Sequence, residues 1–192
     1  MKLWCATGNP GKVGEFRLLA GHAPVSIELL ADYARLPECI EDGATFEENA
    51  ILKARHYGPH APGPLFADDS GLEVDALGGA PGVRSARFSG PGATADSNNR
   101  LLLEKLRGVQ NRVARFVCVI ALAEGSRLVG TWRGAVDGVI LDEPRGTGGF
   151  GYDPLFYYPP FGCTFGEASA ESKFTVSHRG QALVAMLRDL RP

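Results

Sequence analysis

The 192-residue chain is long enough for a real hydrophobic core, and we expect residues 1–192 to form a single domain. Hydrophobic residues make up 44% and charged residues 22%, the balance of a globular protein in water, while a formal net charge of −2 excludes the broad basic surface that general nucleic-acid binding needs. The sequence has no apolar run of about 18 residues and no signal-peptide core, so we expect a cytoplasmic protein with neither nucleic acid nor membrane as partner.

The cysteines predict a reducing compartment. All four are scattered and lack the CxxC spacing of a zinc or redox site: Cys5, Cys39, Cys118 and Cys163. We therefore expect reduced, mostly buried thiols and no disulfide framework.

The first apolar stretch, Lys2–Ala6, predicts a short buried strand. A glycine-containing turn, residues 7–12, follows it and leads into a helical pattern. Asn9 suits the N-cap and Pro10 the first helical position. A strand that feeds such a turn is a ready anion site, and Lys12 adds a positive charge. An ordinary strand–helix turn remains the alternative, because the spacing is neither a Walker A loop nor GxGxxG.

A capping box predicts the next helix, after a second candidate strand at Ser26–Leu30. Thr45 is the N-cap and Glu48 the third helical residue, and the helix should run to about Tyr57. Asn49 and Lys53 are four residues apart and so share a face, for which a solvated surface is the alternative. Glu41 lies just outside the helix, where a loop carboxylate can reach a metal.

The stretch Phe66–Gly90 is the most informative part of the chain. Its apolar lead-in runs directly into Asp68-Asp69-Ser70-Gly71, and buried ionised carboxylates must be paired or bind metal. Because side chains alternate along a strand, the two aspartates should face opposite ways, one towards a cleft and one towards a supporting shell. The glycine-rich run after Ala76 allows close approach to a ligand. An acidic turn after an edge strand is the alternative.

The later elements predict a mixed sheet with helices packed on it. Thr94 or Asp96 can cap a helix that runs to about Arg107. Arg115–Ala123 is almost entirely apolar, as in a strand buried on both faces. Two further strands are expected at Leu128–Trp132 and Ala135–Leu141, joined by a turn near Gly134.

A second glycine-rich stretch, residues 144–154, presents Phe150 between glycines. An aromatic ring in such a loop is a natural platform for stacking a base, although a packing role explains it equally well. Three donors, Lys173, His178 and Arg179, lie near the start of a C-terminal helix expected at Gln181–Leu190, and each taken singly fits an ordinary surface residue.

Five segments, in order and spread over nearly the whole chain, carry motifs of one known family. They are TGNPGKVGEF (7–16), EDGATFEENAILKAR (41–55), FADDSGLEVDALGGAPGVRSARFSG (66–90), PRGTGGFGYDP (144–154) and ESKFTVSHRGQAL (171–183). Together they resemble the inosine/xanthosine triphosphate pyrophosphatase family. The resemblance implies an α/β fold with a long mixed central sheet flanked by helices, two lobes with an active-site cleft between them, and a homodimer. It also implies hydrolysis of the purine nucleoside triphosphates ITP, dITP and XTP to monophosphate and pyrophosphate, with Mg²⁺ as cofactor.

The resemblance also implies roles for residues that would meet the phosphates. Asp69 would bind the metal and activate water, Glu41 would be the second metal carboxylate, and Ser70 would contact the substrate. Lys53 and Lys173 would offset the triphosphate charge. The triphosphate would be cradled by the turn formed by Thr7, Gly8, Asn9, Pro10, Gly11 and Lys12.

A second set of implied roles concerns the base. Phe150 would stack on it, and the pocket around it would be shaped by Gly151, Tyr152 and Asp153. His178 and Arg179 would recognise the purine edge.

The match has departures, and other functions stay open. Ile40 precedes Glu41 where some relatives carry an acid, Arg133 and Asp137 align with no role, and residues 157–167 are expected to form an idiosyncratic loop. One alternative is a related pyrophosphatase for modified pyrimidine nucleotides. Another is a regulatory nucleotide-binding module, which needs the basic cradle but not a base at Asp69.

Overall fold

The computed structural model describes residues 1–20 and 25–190. The strands in this part of the chain are β1 (Lys2–Cys5), β2 (Ser26–Leu29), β3 (Leu65–Val74), β4 (Val113–Glu124), β5 (Arg127–Ile140), β6 (Phe156–Tyr158) and β7 (Cys163–Thr164). Its α-helices are α1 (Pro10–Ala20), α2 (Phe46–Tyr57), α3 (Ala95–Lys105), α4 (Ala170–Val176) and α5 (His178–Asp189).

The strands form one open mixed sheet in the order β2-β1-β3-β4-β5-β6-β7. Strand β1 runs parallel to β2 and β3, whereas the pairs β5–β6 and β6–β7 are antiparallel. Cys5 pairs with Phe66, and the amide of Ala6 donates to the carbonyl of Phe66 at 3.0 Å. Parallel pairing therefore brings the turn that follows β1 beside the aspartates that follow Phe66. The mixed central sheet that the sequence predicts is confirmed.

The chain divides into two compact units, each with its own core. The first unit comprises Met1–Asp69, Cys118–Gly134 and the chain from His178 onward. Phe16 of α1 meets Phe66 of β3 edge-on, with ring centroids 5.1 Å apart. The buried core of this unit consists of Leu3, Cys5, Phe16, Phe66, Cys118, Ile120, Leu122, Ala182, Leu183, Met186 and Leu187.

The second unit comprises Ser70–Val117 and Ala135–Ser177. Aromatic rings dominate its centre, with Phe116 and Phe156 at 4.5 Å and Phe156 and Phe165 at 5.0 Å between centroids. The buried core consists of Leu72, Val74, Leu102, Leu106, Ala114, Phe116, Val136, Ile140, Tyr152, Leu155, Phe156 and Phe165.

The helix starts follow the capping signals closely. Thr45 and Glu48 form the predicted capping box of α2, each accepting a hydrogen bond from the other's backbone amide at 3.1 Å. Thr94 caps α3 in the same way, through Ser97. Helix α5 begins at His178 rather than Gln181, because Ser177 is the extended residue that separates it from α4.

Several predicted boundaries in the sheet are wrong. Strand β5 runs unbroken through Gly134, where a turn was expected. A Cβ at Gly134 would collide with the carbonyl oxygen of His178. Glycine at this position therefore serves close packing of the strand on a helix. The aspartate pair lies inside β3, which excludes the alternative of an acidic turn after an edge strand. Residues 157–167, expected to form a loop, include β7 and most of β6, which pair with each other.

Other sequence predictions for the interior are confirmed. All four cysteines are free, and all but Cys163 are buried. Strand β4 is buried at every position from Phe116 to Ala123, as its apolar run predicts. Within the described residues, the helices are all too short or too polar to cross a lipid bilayer.

Candidate active site

The turn after β1 keeps the capping geometry that its sequence predicts. Asn9 Oδ1 accepts hydrogen bonds from the backbone amides of Gly11 at 2.9 Å and Lys12 at 3.3 Å, and the Asn9 amide donates to Thr7 Oγ1 at 3.2 Å. The exposed residues of the turn are Gly8, Asn9 and Pro10. An anion that bound the amides at the start of α1 would compete with the Asn9 side chain for them.

The carboxylate of Asp69 lies in a buried polar cluster built largely by α2. Asp69 Oδ1 is 3.3 Å from Lys53 Nζ, and Asp69 Oδ2 accepts a hydrogen bond from Asn49 Nδ2 at 3.1 Å. Lys53 Nζ is also 2.8 Å from Glu41 Oε2. One ammonium therefore bridges the two carboxylates that were predicted to hold metal. Lys53 is only 7% exposed, which excludes a solvated face.

Burial and charge act in opposite directions in this cluster. Burial raises the pKa of Asp69 above its ordinary value, and the Lys53 ammonium offsets this only in part. Burial by itself would lower the pKa of Lys53, but Asp69, Asp68 and Glu41 outweigh it and raise that pKa. Asp69 thus combines increased proton affinity with a fixed neighbouring cation, which are properties of a general base.

Asp68, the adjacent residue on β3, has a different set of partners. Its Oδ2 is 2.8 Å from Lys12 Nζ and 3.6 Å from Arg179 Nε, and it accepts a weak hydrogen bond from Cys118 Sγ at 3.9 Å. Arg179 Nη1 also binds Glu15 Oε2 of α1 at 2.7 Å. The two aspartates therefore face opposite ways, as strand alternation predicts.

The charges around Asp68 give it the opposite pKa shift. Burial by itself would raise the pKa of Asp68, but Lys12 and Arg179 outweigh it and lower the pKa to about 2. Burial likewise opposes the charge on Arg179, whereas Glu15 and Asp68 raise its pKa above the ordinary value. Adjacent carboxylates whose pKa values are pushed apart are typical of sites that separate a base from a permanently ionised group.

In the second unit, the loop around Phe150 is organised by Asp153. Asp153 Oδ2 accepts hydrogen bonds from the Phe150 backbone amide at 2.8 Å and from Lys173 Nζ at 2.6 Å. The Lys173 ammonium lies 5.1 Å from the centroid of the Phe150 ring, a cation–π distance. Asp153 and Lys173 are buried, while Phe150 is half-buried. The structure thus brings together three of the residues predicted to meet the substrate.

The remaining predicted residues lie beside these clusters or within the elements that carry them. Gly151 offers its carbonyl to Asn99 Nδ2 at 3.0 Å, and the buried Tyr152 hydroxyl donates to the carbonyl of Ser85 at 2.8 Å. Ser70 is half-buried on β3, directly after Asp69. His178 is buried in the first turn of α5, beside Arg179.

The chain matches one family and its members over nearly the whole length. The Ham1 family matches residues 3–189. The chain belongs to the Ham1 family. It is 50% identical to a dITP/XTP pyrophosphatase of Exiguobacterium sp., over all of this chain and 98% of the relative, and 53% identical to one of Thermus thermophilus, over 97% of this chain and 90% of the relative. A solved HAM1 protein from Coxiella burnetii superposes with a TM-score of 0.87 at 38% identity, covering 99% of this chain and 98% of the other.

These comparisons confirm the family that five sequence segments predicted, and the fold that it implies. The Coxiella burnetii Ham1 structure shares the architecture over nearly all of both chains, so the mixed sheet is the Ham1 fold. The individual site residues stay predictions, which rest on the geometry around Asp69, Asp68 and Asp153.

Sequence reasoning missed two partners that this Ham1 chain uses in the Asp68 and Asp69 clusters. Glu15 binds Arg179 across 164 positions of sequence, and no local pattern predicts such a pair. Asn49 was placed on the face of Lys53 but was given no role at Asp69, although a buried carboxylate needs hydrogen-bond donors.

Proposed function

We propose that this protein hydrolyses the non-standard purine nucleoside triphosphates ITP, dITP and XTP to the monophosphate and pyrophosphate, with Mg²⁺ as cofactor. The observation that carries the proposal is the buried cluster in which Lys53 bridges Asp69 and Glu41. The full-length relatives named dITP/XTP pyrophosphatase support the same activity. Such an activity would remove these nucleotides from the pool before they enter DNA or RNA.

Asp69 is the proposed general base. Its raised pKa makes the carboxylate a better proton acceptor at neutral pH, and its bonds to Lys53 and Asn49 fix the direction in which it points. A water molecule beside it would transfer a proton to Asp69 as it attacks the α-phosphorus. Asp68 is too strongly paired to serve, since its pKa of about 2 makes it a poor base.

The carboxylates around Lys53 fit the donor set of a magnesium ion. Mg²⁺ takes oxygen ligands and commonly binds through one or two carboxylates, completed by phosphate oxygens and water. An ionised carboxylate has about four acceptor positions, so Asp69 and Glu41 can bind Lys53 and a metal together. Within the described residues, no group of three or more His, Cys, Asp or Glu could hold a metal ion, so Asp69 and Glu41 would be two carboxylate ligands without a third from these residue types. When bound, Mg²⁺ supplies positive charge that stabilises the negative charge on the phosphates.

Three lysines are proposed to neutralise the triphosphate. Lys12, Lys53 and Lys173 are each held by a carboxylate, at 2.8 Å from Asp68, 2.8 Å from Glu41 and 2.6 Å from Asp153. An ammonium has three donors, so Lys12 can bind its carboxylate and phosphate oxygens together, and Lys53 can bind a phosphate oxygen beside its two carboxylates. Cations that are already positioned stabilise the charge that develops on the departing pyrophosphate without reorganising.

Base recognition is proposed to use Phe150 for stacking and the His178–Arg179 pair for the purine edge. A 6-keto purine presents an acceptor to these donors, whereas the 6-amino group of adenine presents a donor. A closed site that leaves its donors unpaired rejects an analogue strongly, by up to about 10⁴–10⁵-fold. We therefore propose discrimination against ATP by at least about 10³-fold in kcat/KM.

The family resemblance also supports two proposals about the protein as a whole. We propose that it works as a homodimer and that it acts in the cytoplasm. Analytical ultracentrifugation tests the first, since a monomer at micromolar concentration would contradict it.

Product analysis tests the proposed function. Each of ITP, dITP, XTP, ATP and GTP is incubated with the protein, once with Mg²⁺ and once with EDTA, and the products are separated by ion-exchange chromatography. We expect monophosphate and pyrophosphate from the first three nucleotides, and loss of the activity in EDTA. GTP is included because it shares the 6-keto group and differs by its 2-amino group.

Two outcomes of the same assay would contradict the proposal. Release of orthophosphate and a diphosphate would mean attack at the terminal phosphorus, which removes the role given to Asp69. Tight binding of the nucleotides without turnover would favour a regulatory module.

Replacing Phe150 with Ala is expected to weaken nucleotide binding by about 1–3 kcal/mol, the range for loss of one base–aromatic stack. The matched control is Phe161→Ala, which removes an exposed ring that packs against Tyr158 in the same unit. Isothermal titration with a non-hydrolysable ITP analogue measures both variants. Equal affinities in the wild type and in Phe150→Ala would show that the ring only packs against Lys173.

A further inference from the structure

The loop that carries Glu41 is fastened to α2 by side chains of the helix itself. The backbone amide of Gly43 donates to Asn49 Oδ1 at 2.8 Å, and the amides of Ala44 and Thr45 donate to Glu48 Oε2 at 2.7 Å and 3.1 Å. The Glu48 contacts belong to the capping box and are explained by the helix start. The bond from Gly43 to Asn49 is different, because it spans six residues and ends on a buried side chain.

The other end of the Asn49 amide reaches the proposed base. Asn49 is 1% exposed, and its Nδ2 donates to Asp69 Oδ2 at 3.1 Å. A backbone amide can only donate, so the carbonyl end of Asn49 must face Gly43 and the amino end must face Asp69. One side chain therefore joins the loop to the strand that carries the carboxylate.

The packing at Gly43 shows how closely the loop approaches the helix. A Cβ at this position would lie 2.7 Å from Asn49 Oδ1 and 2.7 Å from Glu48 Cβ, so only glycine fits without a shift. Two residues earlier, Glu41 reaches Lys53, which lies one turn beyond Asn49 on the same face of α2. Asn49 and Lys53 thus each contact both the loop and Asp69.

We propose that Asn49 is the positioning residue of this site, and that its single amide fixes both the Asp69 carboxylate and the loop that presents Glu41. Lys53 places a positive charge beside the two carboxylates. Asn49 instead orients Asp69 and the loop, because a neutral amide has one donor end and one acceptor end. Asn49 acts through Asp69 and Gly43 and needs no contact with substrate. The role of Asn49 in catalysis rests on the proposed function, but its two hydrogen bonds can be tested without measuring turnover.

Two substitutions separate the two bonds. Asn49→Asp keeps an acceptor for the Gly43 amide and replaces the donor at Asp69 with an oxygen. Asn49→Ala removes both. The matched control is Asn98→Ala, because Asn98 is also a buried helical asparagine that joins backbone segments, accepting from the Ser89 amide at 2.8 Å and donating to the Ser85 carbonyl at 3.3 Å.

The first readout is the rate of hydrogen exchange at the Gly43 backbone amide. This rate is measured by NMR and does not depend on enzymatic activity. We expect exchange in Asn49→Ala to be at least about tenfold faster than in the wild type, because the amide loses an acceptor worth about 1.4 kcal/mol or more. In Asn49→Asp the amide should stay protected within about threefold, since its acceptor remains. In Asn98→Ala it should not change. Unchanged protection of Gly43 in Asn49→Ala would overturn the role in the loop.

The second readout separates the role at Asp69. We expect both Asn49 variants to lower kcat for ITP by about 10–100-fold, the range for loss of a hydrogen bond that orients a ligating or reacting carboxylate, while KM changes less. Crystal structures of the variants should show Asp69 Oδ2 turned away from its position beside residue 49. Normal kcat and an unmoved Asp69 in Asn49→Asp would overturn this role.

Failure of the inference can be told apart from failure of the proposed function. If the wild-type protein turned over none of the purine triphosphates, the proposed function would fail, while Gly43 exchange and the position of Asp69 would still decide the role of Asn49. If Asn49→Ala failed to fold, Asn49→Asp would still test the bond to Asp69, because it keeps the shape and the acceptor of the native side chain.

Discussion

Replacing Asp69 with Asn is expected to lower the turnover of ITP by at least ~100-fold, the scale for loss of an acid–base group, and to change nucleotide affinity by less than roughly tenfold. The amide keeps the size of the side chain, so Lys53, Lys12 and the turn after β1 should stay in place to bind phosphates. It cannot accept a proton from water, however. Single-turnover kinetics with ITP and titration with a non-hydrolysable analogue measure the two quantities separately.

The control for this experiment is Asp137→Asn, which makes the same chemical change at an exposed carboxylate on β5 that pairs with Arg115. Its turnover should equal that of the wild type. Burial raises the pKa of Asp69, so the ionised carboxylate is less favourable in the folded state than in the unfolded chain. Replacing it with a neutral Asn should therefore not lower the free energy of unfolding at pH 7. Near-normal turnover in Asp69→Asn would remove Asp69 from the role of base.

The parts of the site that the sequence predicted well are those set by local rules. Asn9 caps α1 and Thr45 caps α2 because a side-chain oxygen reaches an amide two or three residues away, and such spacing is visible in the sequence. The opposite directions of Asp68 and Asp69 follow from strand alternation in the same way. Shared faces of a helix are equally local, which is why Asn49 and Lys53 were expected side by side.

The parts that were not predicted depend on contacts between distant segments. The pairing of Arg179 with Glu15 and Asp68 joins α5 to α1 and β3, and nothing near any of these residues indicates it. The same holds for Gly134, where glycine looked like a turn but serves close contact with the carbonyl of His178. Sequence patterns identify a glycine or a charge, whereas only the fold shows which neighbour requires it.

The opposite pKa shifts of the two aspartates also come from distant segments. Burial raises the pKa of Asp69 by more than the nearby Lys53 and Lys12 lower it. Burial also raises the pKa of Asp68, but Lys12 from α1 and Arg179 from α5, together with Lys53, outweigh it. The two residues are adjacent and chemically identical, so the opposite shifts of their pKa values are a property of the fold. Asp68 is therefore suited to hold cations in place and Asp69 to exchange a proton.

Replacing Asp68 with Asn is expected to lower the free energy of unfolding at pH 7 by about 3–5 kcal/mol, the range for removing one partner of a buried ion pair. Lys12 would lose the carboxylate at 2.8 Å, and the Arg179 guanidinium would lose one of the carboxylates that face it, while its ion pair with Glu15 would stay. Urea unfolding followed by circular dichroism measures the change. The Asp137→Asn control, at an exposed ion pair, should change stability by no more than about 1 kcal/mol.

The difference in stability between the wild type and Asp68→Asn should also depend on pH. The pKa of Asp68 falls from an ordinary value of 3.8 to about 2 on folding, so its ionised form stabilises the folded state by about 2 kcal/mol. This contribution is fully present above pH 4 and is lost as the pH falls towards 2. The free energy of unfolding is measured for both proteins at pH 7, 5, 4 and 3. The difference between them should be constant down to about pH 4 and smaller at pH 3. A gap that stayed constant down to pH 3, or an Asp68→Asn protein as stable as the wild type, would show that Asp68 does not hold Lys12 and Arg179 by its charge.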